Sequence, residues 1–375
     1  MEFQFTDEQE QFREFVRRFF NDTTPTTEVR RIMESQSGFD EGIWHRLASE
    51  LSLTGISIPE AYGGSGFGIV ELGIAMEEMG RCLYPSPYLA SCVLAAKALE
   101  FVASETQRSE LLPAIAAGEQ VATLAFLENE GAPVVTDVSC TATQSGDEFE
   151  LTGNKHFVLD AMVADYLLVT AMTEKGLSLF QVDRAAPCLN VTTLKVIDPT
   201  RRVSKVELVN TPGVLVGAEG AAQEGLERAL NIGFIALANE SVGGAERLFQ
   251  DTLEYTKLRR QFGRTIASFQ AIKHRMTEYL LSVELAKSAA YYTAEAADVG
   301  EEDLAKLASI AKASASEAYL KAGVESIQLH GGIGFTWEND THLWFKRAKS
   351  SEVFLGNPSW HRARLIERMV KEQAA

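Results

Sequence analysis

The residues best suited to chemistry lie between Asn239 and His274. Glu240 is a carboxylate in a small, apolar run: Ile235-Ala236-Leu237-Ala238-Asn239 precede it and Ser241-Val242-Gly243-Gly244 follow. On a helix its neighbours three and four residues away are Ala236, Leu237, Gly243 and Gly244, none of which can pair with it. If buried, such a carboxylate has a raised pKa and suits removal of a weakly acidic proton near neutral pH. A surface position, or an ion pair with another helix, is the plainer reading of the same residues. Downstream, Arg259-Arg260-Gln261-Phe262-Gly263-Arg264 gathers cations and an aromatic on a turn. Read plainly, it is a solvated helix end, where cations meet the negative end of the dipole. Read functionally, it is a phosphate clamp with an aromatic wall. The run Gln328-Leu329-His330-Gly331-Gly332-Ile333-Gly334-Phe335 closes a helix. It is either a helix cap or a place where backbone approaches a ligand closely.

Several chemistries are excluded by pattern. No pair among His45, His156, His274, His330, His342 and His361 has metal-ligand spacing on a helix. No serine sits in a nucleophile elbow. There is no dinucleotide-binding glycine fingerprint after a strand and no phosphate-loop lysine. Cys82, Cys92, Cys140 and Cys188 form no Cys-x-x-Cys pair and read as buried or partly buried thiols in a reducing compartment.

These residues need elements to hold them. Thr6-Asp7-Glu8-Gln9 starts a helix in capping-box style, with Phe12, Phe15, Val16 and Phe19 on one face. Helical periods follow over 40–50, 69–80, 88–101 and 109–117, broken at Asn21–Pro25, at Gly63-Gly64-Ser65-Gly66 and at Pro85-Ser86-Pro87. From Val121 to Gly217 the segments are short, β-branched and alternating, which predicts a small sandwich or barrel. Four long periodic segments then follow, 221–255, 269–299, 302–329 and 358–372, as in an antiparallel bundle. The expected fold class is α+β, with an N-terminal helical domain (1–119), a middle β domain (120–217) and a C-terminal helical bundle (218–375).

With 375 residues, several domains in one body are expected. The 35 basic and 52 acidic residues give a net charge of −17, which repels nucleic acid and anionic lipid. The N-terminus is no secretory signal and no apolar run is long enough to span a bilayer, so a soluble cytoplasmic protein is expected.

Taken together, the stretches Ile58-Pro59-Glu60-Ala61-Tyr62-Gly63-Gly64, Arg259-Arg260-Gln261-Phe262-Gly263 with Phe269-Gln270, and Gln328 to Phe335 resemble the acyl-CoA dehydrogenase family over essentially the whole chain. The resemblance implies FAD at a subunit interface. Arg259, Gln261, Phe262 and Gln270 would touch the adenine and pyrophosphate part of a neighbour's flavin, and Gln328, Gly331 and Gly332 would line its other end. It also implies an acyl-CoA substrate, an electron-transferring flavoprotein as acceptor, and a tetramer built by the C-terminal four-helix bundle.

The chain departs from the family pattern in three places. Val353-Phe354-Leu355-Gly356-Asn357 puts Leu355 where most members carry the catalytic glutamate. Gly233 occupies the alternative base position on the first long helix of the bundle. Glu240 instead resembles the glutamate-x-valine-glycine-glycine pattern of bacterial members that also lack the C-terminal base. In the β domain, the family's threonine-glutamate-proline-glycine loop reads Leu127-Glu128-Asn129-Glu130-Gly131. Its tryptophan-isoleucine-threonine strand reads Phe157-Val158-Leu159, so Phe157 can stack in tryptophan's place while the flavin-binding hydroxyls are lost.

The leading expectation is FAD-dependent α,β-desaturation of an acyl-CoA, of fatty-acid or steroid type, with Glu240 as base in a homotetramer. The alternative is a half-site subunit of an α2β2 heterotetramer formed with a homologue. A DNA-binding branch of the family is opposed by the net charge, and an oxidase or monooxygenase use of the scaffold remains a further reading.

Overall fold

The computed structural model describes residues 4–128, 133–146, 148–301 and 303–374. In chain order the helices are α1 (Asp7–Thr23), α2 (Thr26–Glu34), α3 (Glu41–Leu51), α4 (Ile69–Cys82), a π-helical stretch (Leu89–Ala95) running into α5 (Ala96–Val102), and α6 (Glu105–Ala116). Strands follow: β1 (Ala122–Ala125), β2 (Thr141–Ser145), β3 (Glu148–Leu159), β4 (Tyr166–Thr173), β5 (Gly176–Asp183), β6 (Leu189–Thr193) and β7 (Val203–Val216). The chain then continues through α7 (Ala222–Leu258), a hairpin of β8 (Arg260–Gln261) and β9 (Arg264–Thr265), α8 (Gln270–Asp298), α9 (Leu304–His330), α10 (Thr341–Val353) and α11 (Pro358–Ala374). The α+β order read from the sequence is the observed one. Two helices were not expected: α2, which begins directly after the polar break, and α10, which precedes the last periodic segment.

By its contacts the chain divides into two compact units. One comprises Arg31–Glu71 and Pro85–Gly233, the other Met1–Arg30, Leu72–Tyr84 and Phe234–Ala375.

The first of these units holds the strands. Along β3, Phe149 and Leu151 are buried while Glu148, Glu150 and Thr152 face outward, the period-two pattern of a half-buried strand. The pairing runs β4–β2–β3–β7–β5 and returns from β5 to β4, a ring, with β6 added on β7. Leu151, Leu167, Val169, Phe180, Val182 and Val206 fill its core. Register shifts between β3 and β7 fall at Leu151/Gly153 and Lys155/Val158, the second spanning the aromatic Phe157. A Cβ at Gly153 would meet the Cys140 backbone at 2.8 Å, so that strand crossing admits only glycine. Cys82, Cys92 and Cys140 are buried, and burial pushes the Cys82 thiol up to about 12. Cys188, in the turn just before β6, is exposed, contrary to expectation.

In the other unit, α4 and α7 cross with their backbones nearly touching. A Cβ on Gly80 would overlap the Glu240 carbonyl, and one on Gly243 would overlap that of Glu77. A Cβ on Gly244 would meet the Tyr319 ring at 2.4 Å. Small residues are therefore required on both helices, and Ala286, Ala290, Ala311 and Ala315 continue that close packing among α7, α8 and α9. Beside this crossing lies a buried ionic cluster. Arg13 of α1 donates to Glu77 at 2.5 Å, and the Tyr291 hydroxyl donates to both Glu77 oxygens at 2.8 and 2.9 Å. Burial raises the Glu77 pKa, and the Arg13 guanidinium opposes that shift.

Candidate active site

Glu240 lies at the middle of the long α7, with only 3% of its surface exposed. Its partner comes from another helix: Arg347 of α10, itself 2% exposed, donates to Glu240 Oε1. Of the readings open at the sequence level, the observed environment is the inter-helical ion pair. α10 turns Trp344, Arg347, Ala348 and Ser351 inward at spacings of three and four. A cation on that face is tolerated because an anion stands opposite it.

α10 ends in the turn that carries Leu355. Leu355 is buried at 1% exposure and has φ +56, an unusual conformation for a branched aliphatic residue. Two buried bases from other helices hold the turn. Lys312 of α9 donates to Ser351 O at 2.9 Å, Gly356 O at 3.2 Å and Ser316 Oγ at 2.9 Å. The Ser351 carbonyl belongs to the negative end of α10, which favours a cation. His361 of α11 donates from Nε2 to Leu355 O at 2.9 Å. Burial, with Lys312 nearby, pushes the His361 pKa down to about 3, so its ring is neutral.

The basic turn forms the β8–β9 hairpin. Its two central residues, Phe262 (φ +53) and Gly263 (φ +76), both have positive φ, as a two-residue type I′ hairpin demands. Asn or Gly usually takes the first of those places; here it is an aromatic, 92% exposed. Arg259, Arg260, Gln261 and Arg264 are exposed around it, and the Arg264 guanidinium lies 4.0 Å over the Phe269 ring. The Tyr255 ring stacks on His330 at 4.2 Å and its hydroxyl donates to His330 O at 3.3 Å. This clasp joins the last turns of α7 and α9, so Arg259, Gln261 and Phe262 leave from the same end as Gln328, Gly331 and Gly332. Gln328 is exposed, and a Cβ on Gly331 or Gly332 would meet nothing within 4 Å. Gln270 is exposed at the start of α8, 3.0 Å from His274 Nε2.

Phe157 belongs to the strand-bearing unit. It is half-buried on β3 at φ +53, where the irregularity after Lys155 turns it off the regular pleat. Leu159 is buried and its carbonyl accepts the Thr123 hydroxyl at 2.6 Å. Glu128 accepts from Ser139 N–H at 2.6 Å, Cys140 N–H at 3.0 Å and Lys155 at 2.5 Å. Although burial works against it, Lys155 and Ser139 hold that carboxyl below the usual range. Glu128 thus pins its loop; Asn129, Glu130 and Gly131 lie outside the described residues.

With this geometry in view, comparison with known proteins is decisive. The N-terminal domain of acyl-CoA dehydrogenases matches residues 6–119 and the C-terminal domain matches 224–370. The chain belongs to the acyl-CoA dehydrogenase family. Acyl-CoA dehydrogenase IpdE2 of Mycobacterium tuberculosis is 32% identical over 358 residues, 94% of each chain. A variant of the Tcur3481-Tcur3483 steroid ACAD is 31% identical with a TM-score of 0.90, covering 98% of this chain and 99% of that one. The ChsE4-ChsE5 complex of M. tuberculosis has a chain 25% identical at TM-score 0.89, with 99% of each covered. Members of this family are FAD-dependent flavoproteins, and the chain is accordingly an oxidoreductase acting on acyl-CoA.

The residues present fit the two ends of FAD unequally. The open hairpin, with an exposed ring and flanking arginines, suits adenine and pyrophosphate. On β3, Phe157 offers a stacking surface, but Leu159 offers no hydroxyl.

Four structural contributors are absent from the sequence reading: Arg347, Lys312, His361 and the Tyr255–His330 clasp. The inward spacing of Trp344, Arg347, Ala348 and Ser351 was the available signal for the first. Among the described residues no metal-binding cluster occurs, and no helix is long and apolar enough to cross a membrane.

Proposed function

We propose that this acyl-CoA dehydrogenase chain is one half of a shared site: it lends its basic hairpin and glycine turn to a flavin completed by a homologous chain, and that chain supplies the base. The carrying observation is the state of its own base positions. Leu355 and Gly233 have no titratable group, and Glu240 is committed to Arg347. A carboxylate paired with a buried guanidinium must break that pair before it can serve a substrate. Within the assembly, Arg259, Gln261, Phe262 and Gln270 would hold the adenine and pyrophosphate, with Gln328, Gly331 and Gly332 beside them. In the self-sufficient homotetramer, by contrast, Phe157 would stack beside the ring system of a flavin bound to its own β domain. The segments 1–119, 120–217 and 218–375 serve as its three domains.

When bound, FAD supplies the acceptor for the β-hydride of an acyl thioester. Loss of the α-proton to a carboxylate completes the α,β-desaturation, and an electron-transferring flavoprotein takes the electrons onward. The chain's own task is to bind and orient. The relatives whose names give two chains support the shared arrangement, and the steroid relative supports a bulky acyl group.

The deciding experiment is a visible spectrum. The chain purified alone is expected to be colourless, and to become yellow when co-expressed with a homologous chain. A yellow protein with about one flavin per chain, reduced by acyl-CoA without a partner, would instead make Glu240 the base of a self-sufficient homotetramer.

A further inference from the structure

We propose that Tyr255 is a positioning residue for flavin binding: it fixes the basic hairpin and the glycine turn to each other, so that both arms meet FAD already aligned. The inference rests on these arms being a flavin half-site, and it holds whichever chain completes the flavin.

Tyr255 holds both arms at once. Its backbone carbonyl accepts from Arg259 N–H at 2.8 Å, at the root of the hairpin, and Arg259 O accepts from Ile266 N–H at 2.9 Å on the hairpin's far side. Its hydroxyl donates to His330 O at 3.3 Å. That carbonyl belongs to the peptide joining His330 to Gly331, whose N–H donates back to the carbonyls of Gln328 and Ile327. The peptide plane is held on both edges, which sets the direction in which the chain leaves α9. Gly331 follows with φ +66, and a Cβ on Gly331 or Gly332 would meet open space. One residue therefore fixes the hairpin through its main chain and the glycine turn through its side chain.

The His330 ring supports this arrangement. Its Nδ1 donates to Ser326 O at 2.7 Å, and it stacks on the Tyr255 ring at an interplanar angle of 23°. Neither ring is needed merely to join the two helices. One turn earlier, the Thr252 hydroxyl of α7 already donates to Ser326 Oγ of α9 at 2.8 Å, and the Tyr279 hydroxyl of α8 lies 3.3 Å from the same atom. What Tyr255 and His330 add is order in the terminal turns, where helices leave carbonyls unpaired and fray. A ligand that touches two arms binds more weakly when it must also order them, so prior alignment raises affinity.

The test measures FAD affinity by flavin fluorescence on the assembled enzyme, stripped and reloaded, in whichever form is recovered yellow, homomeric or mixed. Tyr255→Phe keeps the ring and removes the hydroxyl. It is expected to weaken FAD binding roughly three- to tenfold, the range of one hydrogen bond, while the Tm of the separate chain moves by no more than about 2 °C. Tyr255→Leu removes the stack as well and should weaken binding further. The readout that packing alone would not give is coupling to the hairpin. Arg259→Ala with Phe262→Asn strips the hairpin of a cation and its ring; in that background Tyr255→Phe should cost less than about twofold, because alignment no longer matters. If both Tyr255 variants bind FAD as the wild type does, the positioning role is wrong. If the loss is the same in the stripped background, or follows a matching fall in Tm, Tyr255 is a packing residue, and the inference is overturned while the half-site reading stands. If neither form takes up FAD, or stripping the hairpin leaves its affinity unchanged, the half-site reading fails, and this inference with it.

Discussion

Neutralising Glu240 separates a structural carboxylate from a catalytic one. In Glu240→Gln the Arg347 guanidinium stays buried at 2% exposure but loses its anion. Breaking a buried pair from one side costs about 3–5 kcal/mol, because the remaining charge is left uncompensated in a poorly solvating interior. Scaled by an unfolding entropy of about 2.1 cal/mol/K per residue, a cooperatively melting chain of this length loses about 4–6 °C in Tm. Arg347→Met alone should cost a similar amount. The double variant Glu240→Met with Arg347→Met should recover most of it, since replacing both partners with apolar groups of similar size is often neutral or stabilising. Differential scanning calorimetry of the four proteins measures the coupling directly. A single turnover with acyl-CoA in the assembled enzyme supplies the second readout. The structural assignment predicts that the double variant still supports flavin bleaching. A Glu240→Gln protein that melts like the wild type but abolishes bleaching would refute it and make Glu240 the base.

Three other outcomes follow from named contacts. Gly243→Ala forces a methyl group into the Glu77 carbonyl, so it should destabilise by at least the 1–3 kcal/mol of ordinary overpacking, whereas Gly332→Ala, in open space, should stay within about 0.5 kcal/mol; thermal melting compares them. His361 binds its proton more weakly folded than unfolded, so the stability it allows is present above its ordinary value of 6.5 and is lost as pH falls toward about 3. Between pH 7 and pH 5 that amounts to about 2 kcal/mol, and His361→Asn should flatten this part of the pH–stability curve. Phe262→Asn puts a residue at ease with positive φ at the hairpin tip, so stability should be unchanged or slightly higher while affinity for FAD in the assembled enzyme falls, as read by flavin fluorescence on titration.

Much of the fold was legible because it is locally encoded. Thr6 and Gln9 form the capping box expected of them, and the alternation around Phe149 and Leu151 is that of β3. α2 was obscured because Pro25 reads as a break, although a proline can stand just before a helix; the Pro25 carbonyl accepts from Glu28 and Val29. α10 was obscured because Lys346-Arg347-Ala348-Lys349 looks like a solvated basic face. Glu240, far away in sequence, meets Arg347 where it points inward. The site shows the same division: residue types at Arg259, Phe262 and Gly331 could be read directly, but the partner of Glu240 arises from tertiary structure, and the positive φ of Phe262 from a tight hairpin that an aromatic at its tip does not signal.

The clamp on the Leu355 turn has an evolutionary consequence. Its backbone is fixed by hydrogen bonds to the carbonyls of Ser351, Leu355 and Gly356 from Lys312 and His361. None of these bonds uses the side chain at position 355. The frame and the group it displays are therefore separable traits. A lineage can exchange a carboxylate for an aliphatic group there without rebuilding the turn, and chemistry can migrate to a partner chain while the scaffold is inherited unchanged.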